Sequence, residues 1–198
     1  DGGNLLLTKQ EADALRHDEQ KASQFIRTFC GAEELINGTY RYCIWVKEAA
    51  SVSYQNMPHI KNRIEQVRQH RVKSSRDATK HLAETPHQFG EVRHIEEARQ
   101  IVIPAATSER REYLPAAVLE KGTIVSNRCF CLFSQEIYPL ALVVSLLHRA
   151  WIDTVCGKLK TDYNYSNTLG WNTFPVPKLT AKNHSDLTRC AKESLLAR

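Results

Sequence analysis

Lys160, Asp162 and Asn164 fall at alternate positions in the stretch from Gly157 to Pro177. If the backbone there is extended, these side chains project from one face, and Thr161, Tyr163 and Tyr165 from the other. Such a row suits the edges of bases. An ammonium donates to guanine O6 and N7, a carboxylate accepts from cytosine N4, and an asparagine amide pairs with adenine. The tyrosines would give a packed underside that holds the polar face rigid. A solvated strand edge with a local ion pair, of little energetic consequence, fits the same residues. The chemistry makes duplex DNA the first partner to consider.

Other donor-rich segments could join that face. Ser126, Asn127 and Arg128 lie in a run expected to be a strand, where Asn127 could instead cap a neighbouring backbone group. In Thr107 to Pro115, Arg110 and Arg111 could clamp phosphates, or could form an internal network with Glu109 and Glu112. Lys61, Arg63, Arg68, Arg71, Lys73, Arg76 and Lys80 face only Glu65 and Asp77 across their segment, which predicts a basic helical surface. That surface fits phosphate contact or simple solubility.

Catalytic signatures are absent. No glycine-rich strand-to-helix turn, Gly-x-Ser-x-Gly, His-Glu-x-x-His or paired cysteine–histidine zinc pattern occurs. Cys30, Cys43, Cys129, Cys131, Cys156 and Cys190 form no Cys-x-x-Cys pair and read as reduced, mostly buried small hydrophobes. A net charge of +5 over 198 residues favours polyanions only mildly. The longest apolar run, Leu140 to Leu147, falls far short of the roughly 20 residues of a spanning helix, and no signal peptide is evident. These features predict a cytoplasmic protein without membrane contact.

The elements that must position these residues are legible in part. Thr8-Lys9-Gln10-Glu11 has the form of a helix capping box, and Asp18 could open a second helix through Ile26. Asn37-Gly38 between β-favouring runs predicts a hairpin from Glu34 to Trp45. Pro58 begins a helix whose Ile60, Ile64 and Val67 form a buried stripe, and Ser74 to Thr85 predicts a second basic helix stopped by Pro86. Strands are expected at Gln100 to Ile103, Glu112 to Leu114 and Thr123 to Phe133. A long buried helix should run from Glu136 to Val155, followed by strands between Tyr163 and Phe174 and an amphipathic helix carrying Leu187, Ala191 and Leu195. Helices and strands mix without regular alternation, which predicts an α+β fold of mixed β-sheet elements with a hairpin, a long buried helix and a basic helical pair. The chain begins Asp1-Gly2-Gly3 without methionine and stops at Arg198 inside a helical pattern, as expected of a fragment of a larger protein.

Three groups of residues together resemble one family. They are Gly31-x-x-Glu34 with Tyr40-Arg41-Tyr42-Cys43-Ile44-Trp45; Ile103-Pro104 with Ser108-Glu109-Arg110-Arg111-x-Tyr113-Leu114-Pro115; and Trp151 with Gly157-Lys158-Leu159-Lys160-x-Asp162-Tyr163-x-Tyr165-Ser166 and Asn172-Thr173-Phe174-Pro175. The pattern resembles the target recognition domain of MmeI-like type II restriction-modification enzymes, in which endonuclease, adenine methyltransferase and specificity domain share one chain. The resemblance implies a recognition domain over residues 1–178 and the truncated start of a C-terminal helical region over 179–198. It implies no catalytic site, cofactor or metal in this segment, whose partners would be double-stranded DNA and the methyltransferase domain of the same parent. The rest of the parent would use S-adenosylmethionine and Mg2+ to methylate adenine N6 and cleave DNA in the bacterial cytoplasm, at the nucleoid.

By the same resemblance, Lys160 and Asp162 read the base pair beside the methylated adenine, and Asn127, Arg128 and Asn164 read pairs further inside the site. Ala105 or Ala106 falls near another reading position but offers no polar group. A Lys/Asp pair suits G·C, so guanine is expected after the target adenine. Arg110, Arg111, Lys158, Arg63, Arg71 and Lys73 are the expected contacts to the DNA backbone. The competing function is a docking domain that orders the parent's catalytic domains, with the C-terminal helix as interface.

Overall fold

Thr8 opens the first helix as its sequence predicts: its hydroxyl accepts from the Glu11 N–H at 3.2 Å, and the Glu11 carboxylate accepts from the Thr8 N–H at 2.8 Å. The structure, a computed structural model, describes residues 1–47, 53–92, 94–95 and 98–197. It divides into two compact units, Asp1–Cys30 with Tyr40–His94, and Gly31–Thr39 with Ile95–Arg198.

The first unit contains β1 (Leu6–Leu7), α1 (Lys9–Asp18), a 3-10 turn at Gln20–Phe25 in place of the expected second helix, β2 (Ile26–Cys30) and β3 (Arg41–Ile44). β3 pairs antiparallel with β1 and β2, setting Leu6 against Cys43 and Thr28 against Tyr42. Against this sheet packs α3 (Pro58–Val72), followed by α4 (Asp77–His81), which buries no residue. Ile60, Ile64 and Val67 of α3 are buried with Leu5, Leu7, Phe25 and Ile44. The expected helix over Ser74 to Thr85 is only the short α4 and a 3-10 turn at Leu82–Glu84. Pro86 is where the helical donor for the Leu82 carbonyl would lie, and proline has no N–H. That carbonyl accepts instead from the Arg71 guanidinium and from the Thr85 N–H of the 3-10 turn.

The second unit begins with α2 (Ala32–Asn37), where the sequence predicted a hairpin. Gly38 has φ 65 and closes the helix as its left-handed C-cap. Asn-Gly supplies a positive φ, and a helix end uses that conformation as readily as a hairpin turn does. The unit continues through β4 (Gln100–Pro104), β5 (Ala106–Thr107), β6 (Ala117–Leu119), β7 (Ile124–Val125) and β8 (Cys129–Phe133). Then follow α5 (Tyr138–Val143), α6 (Leu146–Val155), β9 (Gly157–Leu159), β10 (Asp162–Asn164) and α7 (Ala181–Leu196).

β4 lies between β6 and β8 in one antiparallel sheet, and β10 lies between β5 and β9 in another. The expected strand at Glu112 to Leu114 does not form, and the one over Thr123 to Phe133 is interrupted by a turn at Asn127 and Arg128. The expected long helix is two, because the Ser145 hydroxyl accepts from the His148 N–H and starts α6 afresh. Ile101, Ile103, Leu114, Leu140, Val143, Ile152, Tyr163, Tyr165 and Ala191 form one core, with Leu187 and Leu195 of α7 packed against it.

The α+β expectation agrees with this mixture of sheets and helices. None of the six cysteines is in a disulfide; Cys30, Cys43 and Cys156 are buried as expected, while Cys129 and Cys131 are half-buried and Cys190 is exposed. Among the described residues, no helix is long and apolar enough to cross a membrane. No group of His, Cys, Asp and Glu among them is arranged to hold a metal ion.

Candidate nucleic-acid interface

β9 and β10 form a tight hairpin, with Leu159 paired to Asp162, Lys158 to Tyr163 and Gly157 to Asn164. Only Lys160 and Thr161 remain for the turn. Lys160 has φ 59 and is the one non-glycine residue with positive φ among those described. It therefore projects from a turn, not from a strand face shared with Asp162 and Asn164 as the alternation predicted. A side chain in this conformation is disfavoured, and such strain is often found where the surrounding structure must aim a functional group.

The rest of the alternation holds. Asp162 and Asn164 are exposed while Tyr163 and Tyr165 are 5% and 3% exposed. Cross-strand pairing adds what the linear sequence could not reveal, since paired residues share a face. Leu159, 66% exposed, stands beside Asp162. Asn164 has Gly157 on one side and Ala106 of β5 on the other.

Two backbone hydrogen bonds bring the next pair of candidates to this sheet. The Ala105 N–H donates to the Arg128 carbonyl at 2.8 Å, and the Tyr165 N–H donates to the Ala105 carbonyl at 2.8 Å. Asn127 and Arg128 are exposed in their turn, which is fixed by the Arg128 N–H donating to the Ser126 hydroxyl at 3.2 Å. Lys160, Asp162, Asn164, Arg128, Arg110 and Arg111 have no side-chain hydrogen bond or ion pair with any described residue. The local Lys160–Asp162 ion pair that would make this an inert edge is therefore not formed.

The underside is held by residues the sequence did not single out. Arg149 of α6 donates through one Nη2 to the Tyr163 hydroxyl at 3.3 Å and to the Glu109 carbonyl at 3.4 Å, joining the hairpin to the loop that carries Arg110 and Arg111. Its guanidinium carbon also stands 5.8 Å from the centre of the Tyr163 ring. Next to Tyr165 lies His148, fully buried among Tyr165, Trp171 and Phe174. Burial pushes His148 down to about 4 and the Tyr165 phenol upward, so both are neutral at pH 7. Their common signal was only a histidine and an arginine inside an apolar helix, about two turns before the hairpin.

The expected phosphate contacts divide into two groups. Arg110 and Arg111 are exposed beside the hairpin's own unit, and Lys73 is exposed at the end of α3. Arg71 is a correction. It is only 2% exposed, and it donates to the carbonyls of Leu82, Thr85 and Gln88 at 2.6 to 2.9 Å. Arg63 is also turned inward, donating to the carbonyls of Asn4 and Leu6 and pairing with Glu11. Lys158 lies on the Tyr163 face, 2.7 Å from Asp153, whose hydrogen bond holds its ammonium pKa above the usual lysine range. A charge that is already partnered inside the fold is poorly placed to replace counterions on DNA.

Residues 1–178 match the family model described as the MmeI target recognition domain. Over 195 residues, 98% of the chain, the sequence is 36% identical to DNA methyltransferase A of Bacillus subtilis (strain 168) and spans 22% of it. The whole chain also superimposes, with a TM-score of 0.93 and 32% identity, on 26% of a chain from the structure of the Type IIL restriction-modification enzyme MmeI in complex with DNA. The chain thus spans about a quarter of the length of the relatives it matches.

Proposed function

This chain belongs to the MmeI target recognition domain family, and on that premise we propose that it is the module that selects the DNA sequence for a larger restriction-modification protein. The observation that carries the reading is the exposed face of β10. Asp162 and Asn164 leave it without a side-chain partner among the described residues, while Tyr163 and Tyr165 anchor the opposite face in the core. A rigid support under unsatisfied polar groups is what discrimination between bases requires.

In this reading Lys160 donates to guanine O6 and N7, and Asp162 accepts from N4 of the paired cytosine. Each good contact contributes about 1–3 kcal/mol of discrimination. Asn164, Asn127 and Arg128 read neighbouring pairs, and Arg110 and Arg111 hold phosphates beside them. Lys73, an exposed cation of the other unit, is also assigned to a phosphate. Arg63 and Arg71 act inside the fold, and Lys158 supports the hairpin through Asp153 and Tyr163.

The complete protein then acts on the adenine beside this site. Its remaining domains bind S-adenosylmethionine, use Mg2+ for cleavage, and extrude the adenine from the stack to methylate N6. Such a protein works in the bacterial cytoplasm, where its DNA is. Salt-titrated binding of the complete protein to duplexes tests the proposal. Affinity must fall steeply with salt and must depend on sequence. Binding indifferent to sequence would favour a docking domain.

A further inference from the structure

Gly157 lies directly across the ladder from Asn164. A glycine within a strand weakens it, and such a position often marks where a ligand or another backbone comes close. Within the fold itself there is no demand for glycine here. Its φ lies outside the left-handed region, and a Cβ built on it meets no atom within 4 Å. Gly170 is the opposite case, since a Cβ there would stand 3.2 Å from Cys156 Sγ and from the Tyr165 ring.

The other flank of Asn164 is also nearly bare, because β5 sets only the methyl of Ala106 beside it. The surface therefore descends from the exposed Leu159, beside Asp162, to open backbone beside Asn164. Asparagine carries its amide on a single methylene. It can reach the edge of a base only if the strand itself lies close to the groove, so neighbours on its face must be small. Lys160, with its long stem, has no such requirement.

We propose that Gly157 is a specificity-determining position, the point at which double-stranded DNA approaches the β9 backbone closely enough for Asn164 to reach its base. The inference rests on the base-reading assignment of the hairpin. It predicts opposite signs for stability and binding when a side chain is added. A β-branched residue suits an exposed strand better than glycine does and has free space here, so folding is unharmed while DNA is held away.

The test uses the complete protein with Gly157→Ala and Gly157→Val, and a duplex carrying the protein's own methylated motif together with single-pair variants of it. Both substitutions should leave the melting temperature unchanged or raised. Gly157→Val should weaken binding at least tenfold and lose discrimination at the pair read by Asn164, while keeping its preference at the pair read by Lys160 and Asp162; Gly157→Ala should show the same pattern more weakly. Wild-type affinity and discrimination in Gly157→Val overturn the inference. If Gly157→Val does not fold, Gly157→Ala, which adds one methyl to open space, decides by the same criteria. A wild-type protein without sequence preference overturns the base-reading assignment and this inference together, which separates the two failures.

Discussion

His148 Nε2 lies 3.1 Å from the Tyr165 hydroxyl, with neither ring open to solvent. Tyr165 follows Asn164 directly and donates its N–H to Ala105, so this buried contact underlies the row of candidate base readers.

Acid should therefore weaken the fold through His148. Its pKa is about 4 in the folded chain against an ordinary 6.5, so above pH 6.5 it is neutral in both states. As pH falls below 6.5 the unfolded chain takes up a proton that the folded chain refuses until about pH 4. Stability is lost across that window, by about 3 kcal/mol at most, and levels off below it. Denaturant titrations between pH 4 and 8 on wild type and His148→Phe check this. The variant should lose much of the slope, and an identical slope would show that other groups carry it.

Arg149 joins Tyr163 to the Glu109 carbonyl and so fixes the hairpin against the loop of Arg110 and Arg111. Arg149→Met should cost about 1–2 kcal/mol of stability. It should also weaken DNA binding without changing which base is preferred beside the target adenine. A change of preferred base would make Arg149 a reader and contradict the supporting role.

The hairpin was legible only in part. The alternation of buried tyrosines with Asp162 and Asn164 follows from the period of a strand and needs no other part of the chain. Lys160 broke the pattern because a two-residue turn depends on which residues pair across it, and Leu159–Asp162 pairing is invisible in one strand alone. The same limit hid Gly157 and Ala106 as neighbours of Asn164. Asn37-Gly38 misled for a different reason: a left-handed residue fits a helix C-cap as well as a hairpin, and local sequence does not choose between them. The basic segment around α3 showed its buried stripe plainly. That Arg71 and Arg63 turn inward depended on carbonyls supplied by distant segments.

Lys160 offers a separation of backbone from side chain. Replacement by glycine removes the positive-φ penalty and should stabilise the domain by up to about 1 kcal/mol, whereas Lys160→Ala should not. Both should lose discrimination at the G·C pair. Thermal melting of the two variants, alongside binding to duplexes altered at that pair, measures both effects; equal melting temperatures would argue that the turn is unstrained.

Arg71 and Lys73, two positions apart, should behave differently. Arg71→Met removes the guanidinium that donates to the carbonyls of Leu82, Thr85 and Gln88 and should destabilise by about 2–4 kcal/mol. Lys73→Ala should barely affect stability and should reduce the slope of log affinity against log salt by about 1. A reduced salt slope in folded Arg71→Met would return that residue to the DNA surface.

In the proposed function, Lys160 and Asp162 choose the base next to the methylated adenine. The most direct measurement is the methylation motif left in genomic DNA by the complete protein, read by single-molecule sequencing for wild type and for the double variant Lys160→Glu, Asp162→Arg. Wild type should leave guanine at that position, and the double variant a different base there with the rest of the motif intact. An active double variant that still requires guanine at that position would contradict this assignment.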